Sequence, residues 1–387
     1  MSTASPTYDV VIIGAGLAGL QCSLALLRED RDKALKIALI DPRDHEANDK
    51  TWCYWDDNVE SSDLIHHQWQ YAHIHPSQSE ARSTESRVVD LSPYRYRMIR
   101  SIDFYTSALA RINASNQVDR IYASVTRHTA GKLTCDDGSQ LQGRYVLDSR
   151  LPDDVLTRSG SIMIHQHFLG WYIEVDQPIW KPDEMTMMDF RLQHEESTSF
   201  CYVLPVTDRK ALVEYTLFTD KLLGEQQYEE LLRSYISRYI TTDGYKIIDR
   251  EGGVIPMTTY PFVENNTSHY QRIGTAGGWV RASTGYSFYR SKLFSQKIAG
   301  AIVHGSDLPL LVGSKWAERK TRFYDRMLLL ILKDQNDKGA EIFYKFYQQR
   351  TLSAALPFLD GTSSLWQDLR IILSLPKMPF LKALFTK

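Results

Sequence analysis

Hydrophobic positions along the chain follow two rhythms. Near the start, Tyr8-Asp-Val-Val-Ile-Ile-Gly14 is a nearly solid apolar run, and Lys36-Ile-Ala-Leu-Ile-Asp41 is a second. Short continuous runs bounded by turn residues predict strands buried on both faces. Between them apolar residues recur at helical spacing, so residues 8–41 read as strand, helix, strand. Lys50-Thr-Trp-Cys-Tyr-Trp55 is expected in a loop above this unit. Residues 101–112 read as a helix with Ile102, Tyr105, Leu109 and Ile112 on one stripe. Strands follow at Ile121–Val125, in a hairpin about Asp136-Asp-Gly138, and at Tyr145–Asp148.

From about Phe168 the rhythm changes to strand alternation. Leu169–Val175 is one strand; Phe200–Leu204 and Ala211–Phe218 form a hairpin across Val206–Arg209. Tyr228–Ile240 is an amphipathic helix, and Val254-Ile-Pro-Met257 ends the segment. Gln271–Gly278 returns to the opening pattern of strand, glycine turn and helix. After Gly313 the chain is helical, with stripes such as Phe323, Met327, Leu330 and Leu365, Leu369, Ile372.

The glycines give the first unit its chemistry. Gly14 permits a tight turn, Gly16 lets a pyrophosphate approach the backbone, and Gly19 lets the helix lie close to the strand. Ala15, Leu17 and Ala18 complete the turn, and the helix start offers N–H groups to phosphate. Asp41, 22 residues after Gly19, is placed to accept from a ribose. The second glycine turn, at Gly274, Gly277 and Gly278, lies nearly 260 residues on, beyond a β-rich insertion. A flavin enzyme needs such a late return to close over the FAD diphosphate and reach the ring, so FAD is favoured over NAD. The layout is α/β: a Rossmann-type FAD-binding lobe (1–165 and 263–311), an inserted β-rich substrate lobe (166–262) and C-terminal helices (312–387).

Composition narrows this further. At 387 residues and 43% hydrophobic the chain fills two or three lobes. A net charge of −2 gives no reason to expect nucleic acid. The four cysteines are scattered without a CxxC, so no zinc or iron–sulfur framework is expected. Met1-Ser-Thr-Ala-Ser-Pro6 shows no signal peptide, and Met327–Leu332 is too short to span a bilayer. From Val312 to Lys387 there are 13 Lys/Arg against 7 Asp/Glu, together with eleven aromatics. That composition fits either a helical lobe with a wet basic face and an aromatic core, or a surface that binds anionic lipid.

Among candidate acids, Glu214 sits mid-strand in Ala211-Leu-Val-Glu-Tyr-Thr-Leu-Phe218. Alternation puts it on one face with Leu212, Thr216 and Phe218. If that face is apolar, burial disfavours the anion and leaves a proton donor near neutral pH. If it is solvated, Glu214 is an ordinary surface residue. Glu251, before Gly252-Gly253, either shapes the flavin end of a cavity or is a plain turn acid; Glu174 is a weaker candidate donor. Asp148-Ser-Arg150 ends a strand of the nucleotide lobe. His165 and His167 have no carboxylate pattern for a metal, and no hydrolase arrangement appears.

These motifs resemble the bacterial lycopene β-cyclases. Besides the Gly14 turn, Thr51-Trp52 is similar to the family's Thr-Trp, and Asp148-x-Arg150 to its Asp-Gly-Arg. Leu212-Val-Glu214-Tyr-Thr216 resembles its Ile-Glu-Asp-Thr segment. Glu251-x-Gly253-x-Ile255-Pro256, Ser283-Thr-Gly-Tyr286, Arg326-Met-Leu-Leu-Leu and Lys377-Met-Pro-Phe-Leu-Lys-Ala-Leu fit further segments. Ser149, Lys50 and Ala282 depart from the pattern. The resemblance implies a redox-neutral cyclisation of lycopene ends to β-ionone rings, giving γ- and β-carotene. Reduced FAD would stay bound and NAD(P)H would serve as reductant. It makes Glu214 and Glu251 the catalytic pair. It adds Trp52, Arg100, Asp148, Ser283, Thr284, Gly285 and Tyr286 to the cofactor set. It also implies a cytoplasmic protein peripheral to the inner membrane, with other carotenoid enzymes as neighbours. The rival readings are a redox flavoenzyme of the same fold, such as a hydroxylase or isoprenoid reductase, and a non-catalytic flavoprotein that binds lipid or carotenoid.

Overall fold

The computed structural model describes residues 5–57, 62–77, 87–312, 316–347 and 352–385. Gly313, where the sequence reading starts the helical tail, lies outside them. The α/β architecture is as the sequence predicts, built on three sheets.

The first sheet is the nucleotide lobe. Its parallel core runs Val118–Ile121, Ile37–Ile40, Thr7–Ile13 and Gln140–Asp148. Tyr270–Arg272 returns from far along the chain to pair in parallel with the end of Gln140–Asp148. Val10, Val11, Ile12 and Ile37 are fully buried, as solid apolar runs require. The helices Leu17–Glu29 and Phe288–Val303 pack against each other over this sheet.

The second sheet has seven strands in the order Tyr245–Thr258, Met163–Val175, Lys210–Thr219, Thr198–Pro205, Glu184–Asp189, Tyr71–His75 and Arg87–Asp90. The last two come from the span assigned to the first lobe, and Tyr71–His75 joins by parallel pairing to Glu184–Asp189. One face is closed by the helix Glu225–Tyr239, whose Tyr228, Leu232, Tyr235 and Ile236 pack on Trp171, Val213, Tyr215 and Leu217. The other face looks toward the nucleotide lobe.

Three local expectations are corrected. Residues 51–56 form a strand, paired with Arg95–Arg100 in a small third sheet, rather than a loop. Ile121–Val125 is not one strand, because Tyr122–Ser124 separates Val118–Ile121 from Val125–Thr129. The second glycine turn is a 3-10 turn at Gly274–Gly277, and the helix expected directly after it begins only at Phe288.

The tail is helical over Trp316–Asp334, Gly339–Tyr347, Leu352–Asp360, Leu365–Ser374 and Lys377–Phe385. Met327, Leu330, Phe343 and Phe346 are buried, whereas Phe323, Leu365, Leu369 and Ile372 of the expected stripes are exposed. Among the described residues no helix is long and apolar enough to cross a membrane.

Candidate active site

The first glycine turn has the backbone its sequence demands. Gly14 has φ +98°, in the left-handed region. A Cβ on Gly19 would stand 1.8 Å from the Gly14 carbonyl oxygen, so only glycine lets the helix sit this close. A Cβ on Gly16 would meet nothing within 4 Å, which leaves the space over the helix start open. Asp41 closes its strand and accepts from the Ala15 N–H at 2.7 Å and from the Arg43 N–H at 2.9 Å. With His45 beside it, these bonds hold its carboxyl well below the ordinary range despite burial. Gly274 at φ +61° approaches the first helix so closely that its Cβ would be 2.9 Å from Ala18. The two glycine turns therefore meet, and an open space over a helix start with an acid at its edge fits the diphosphate and ribose of FAD.

Other residues in the proposed cofactor set fall into different roles. Thr284, Gly285, Tyr286 and Trp52 line a cavity of about 260 Å³ beside the second turn. Ser283 lines a second cavity between the tail helices. Arg100 is held by two 2.9 Å bonds to Asp103 at the start of its helix. Asp148 is taken up by Arg150 at 2.7 Å and Tyr270 at 3.2 Å. Ser149 fits because its neighbour is Gly14, where a Cβ would come 2.0 Å from the serine Oγ.

The cavity beside the second turn holds both candidate acids. In the sheet, Gly170 on the strand Met163–Val175 faces Glu214 on one side and Glu251 on the other. Tyr202 extends the same row beyond Glu214. Residues in one row point to one face, so Glu251, Gly170, Glu214 and Tyr202 share it. A Cβ on Gly170 would be 3.3 Å from Glu251 Cγ and 3.4 Å from Glu214 Cβ. The absent side chain leaves Glu251 and Glu214 room on either side of Gly170. Glu214 is only 9% exposed, which removes the solvated-face reading.

Burial pushes both carboxyls above their ordinary range. For Glu214 the nearby charge of Glu251 adds to the rise, and the Thr216 hydroxyl, donating at 2.7 Å, partly opposes it. Glu251 receives the Thr51 hydroxyl at 2.5 Å, which favours its anion. The two carboxyls therefore titrate together as a coupled pair, each accepting one hydroxyl that favours its anion. Phe168, Leu204, Leu212, Val254 and Ile255 supply apolar walls. Three phenols complete the lining, Tyr96 buried and Tyr202 and Tyr286 partly buried: Tyr96 and Tyr286 are joined hydroxyl to hydroxyl at 3.0 Å, and Tyr202 bonds to Tyr286. Burial raises all three, so they remain neutral.

Gly170, Tyr96 and Tyr202 escaped the sequence reading, and Thr51 entered it only as part of the Thr-Trp motif, with no role assigned. Only the Thr-Gly-Tyr and Thr-Trp motifs pointed nearby. Glu174 is corrected: it lies near the strand end, partly exposed and paired with Lys210 at 3.4 Å. His167 sits on the opposite face, bonded to the Tyr228 and Thr219 hydroxyls.

The fold resembles flavoenzymes at low sequence identity. A geranylgeranyl bacteriochlorophyll reductase-like protein from Thermoplasma acidophilum shares 12% identity with a TM-score of 0.64, covering 98% of this chain and 99% of that one. A 2-methyl-3-hydroxypyridine-5-carboxylic acid oxygenase shares 10% with a TM-score of 0.59, covering 91% and 96%. A flavin-dependent brominase shares 13% with a TM-score of 0.55, covering 95% and 93%. No curated protein matches the chain. The family model described as lycopene cyclase protein matches residues 9–385.

Proposed function

The chain belongs to the lycopene cyclase family, and from that premise we propose that it is an FAD-dependent lycopene β-cyclase in which Glu214 is the proton donor. The observation that carries this reading is the carboxyl pair across Gly170, buried in a largely apolar, tyrosine-lined cavity beside the second glycine turn.

Lycopene has no polar group to bind, so the reaction must be driven by an acid held neutral until it meets an alkene. Glu214 gives its proton to the terminal double bond. The resulting carbocation is attacked by the neighbouring alkene, which closes a six-membered ring. A ring proton then leaves to Glu251, restoring neutrality and yielding the β-end. Proton exchange between the paired carboxyls resets the site. Tyr96, Tyr202 and Tyr286 offer π-faces to the transient cation. The apolar walls exclude water, which would trap the cation as an alcohol. When bound, reduced FAD would supply negative charge that favours a cationic transition state, with NAD(P)H needed only to keep it reduced. Gly14, Gly16, Gly19, Asp41 and the second turn would hold it. The exposed apolar helices of the tail support a cytoplasmic enzyme resting on the membrane that dissolves its substrate.

The test is anaerobic incubation of purified protein with lycopene in liposomes, FAD and NADPH. The expected result is γ- and β-carotene with only catalytic consumption of NADPH. Glu214→Gln should retain FAD and lose turnover by about 10²-fold or more. Stoichiometric consumption of NADPH, or a requirement for oxygen, would replace this reading with a redox flavoenzyme. Turnover undiminished in Glu214→Gln would remove the assigned donor.

A further inference from the structure

A second cavity, of about 210 Å³, lies among the tail helices. We propose that it is the passage by which a linear polyene enters from the lipid bilayer, and the berth for the part of that chain not being cyclised. This rests on the cyclase reading for its substrate and on geometry of its own for its path.

The inner end meets the reaction cavity. Thr284 lines both spaces, and Tyr347 of the second packs into the same cluster as Tyr286 of the first. The wall is almost wholly apolar, with Met327, Leu328, Phe343, Phe346 and Phe358 among its residues. The two charged residues that touch it, Arg281 and Asp325, are buried and paired with each other at 3.0 Å. A polar or charged ligand would find little there to replace its hydration, whereas a hydrocarbon loses nothing.

The outer end reaches the surface. Phe323, Ile372 and Leu384 line the cavity and are nevertheless 51%, 39% and 54% exposed. They open among Leu365, Trp366, Leu369, Leu381 and Phe385, which are exposed on the same helices. Monomeric proteins seldom show so many large apolar side chains together without a partner. Two chambers in series, one opening on an apolar face and the other ending at a proton donor, suit an extended hydrocarbon. Threaded through them, such a chain presents one end to Glu214 and leaves the other directed at the bilayer.

The experiment uses the holoprotein in the Glu214→Gln background, where binding is read without chemistry. Lycopene in phosphatidylethanolamine/phosphatidylglycerol vesicles is the probe, and retention after vesicle removal is read from its visible absorption. Ile372→Trp at the mouth and Leu328→Trp inside should each cut retention at least 10-fold with FAD absorbance unchanged. Leu373→Trp, exposed on the same helix but not lining the cavity, should leave retention within twofold. In the parent enzyme the same two blocking variants should slow lycopene cyclisation, while a short acyclic isoprenoid dissolved in detergent is turned over within twofold of normal. If one blocking variant loses FAD, the other carries the measurement. Should both lose it, Ile372→Arg at the exposed mouth replaces them. Retention unchanged in the FAD-loaded blocking variants would overturn the passage and leave the cyclase reading standing. Retention lost in them, with no cyclisation by the parent, would uphold the passage and sink the cyclase.

Discussion

At the scale of single residues, the site depends on a carboxyl that stays protonated where most are ionised. Both Glu214 and Glu251 titrate above the ordinary range because burial penalises their anions. Turnover needs the pair to hold one proton, so that one carboxyl can give it and the other can accept; as pH rises through the pair's second titration, the donor is lost. The kcat of the parent should therefore fall on the alkaline side, measured with FAD saturating. Stability follows the same sign. The native Glu214 binds its proton more tightly than an unfolded glutamate with a pKa of about 4.3. Its contribution is full below that value and decays as pH rises toward the native one. Glu214→Gln, which has nothing to ionise, should therefore gain Tm relative to the parent as pH increases, by a few degrees under alkaline conditions. A stability gain coupled to loss of activity is what a buried functional acid predicts and a structural one does not. Gly170→Ala tests the geometry. Its Cβ would be 3.0 Å from Leu212 Cδ1 and 3.3 Å from Glu251 Cγ, so Leu212 and Glu251 must give by a few tenths of an ångström, while its 3.4 Å approach to Glu214 Cβ is ordinary contact. A displacement of 1 Å costs on the order of 10² in rate, so a shift of this smaller size should lower kcat by less than that while leaving Tm little changed. Unchanged kcat would mean that the two acids need not be close.

At the scale of elements, three separate sheets and turns deliver the site. The strand Thr51–Asp56 belongs to the small sheet yet sends Thr51 across to Glu251. That hydroxyl favours the ionised form, so Thr51→Val should raise the proton affinity of Glu251. A hydrogen bond to a charged group is worth about 1.5–3 kcal/mol, so the acid limb of kcat/KM should move upward by about one pH unit or more. An unmoved limb in the pH profile would separate Thr51 from Glu251 function. The same elements show what local pattern can and cannot reveal. The Gly14 turn was legible because its strand, helix, second strand and Asp41 are neighbours in the chain. The strand Tyr245–Thr258 was visible only at its end, because Gly252, Gly253 and Pro256 break the alternation. The fold tolerates that Pro256 because this strand is at the sheet edge. Glu214 was legible as a candidate, but its burial depends on what covers its face, and that cover comes from Thr51–Asp56 and Tyr286 far away. The parallel pairing of Tyr71–His75 with Glu184–Asp189 spans over a hundred residues and leaves no local trace. Gly170 looked like any glycine in a strand, and its role appears only once three strands are in register.

At the scale of the whole molecule, the tail divides its aromatics between two environments. Phe343, Phe346 and Tyr347 are buried, while Trp316, Phe323 and Trp366 face outward, so neither composition-based reading of the tail holds alone. Trp366 is 77% exposed and follows Leu365 on a helix that also presents Leu369, Ile372 and Leu373. Arg370 lies on that helix and Lys377 opens the next, Lys377–Phe385. An apolar face with nearby cations should bind anionic bilayers through two contributions that salt can separate. Each fully buried large side chain is worth about 1.5–3 kcal/mol and is insensitive to salt. Each cation near the surface adds about 1 kcal/mol, which screening removes. Co-sedimentation with phosphatidylglycerol-containing vesicles should therefore weaken at high salt yet persist. Replacing Trp366 and Leu369 together by alanine should reduce it by about 10²-fold at any salt. Neither side chain lines either cavity, so turnover of detergent-dissolved lycopene by this double variant should stay within twofold. That contrast separates reaching the substrate from converting it. A double variant that sediments like the parent would show that these helices do not meet the bilayer, whatever their apolar surface suggests.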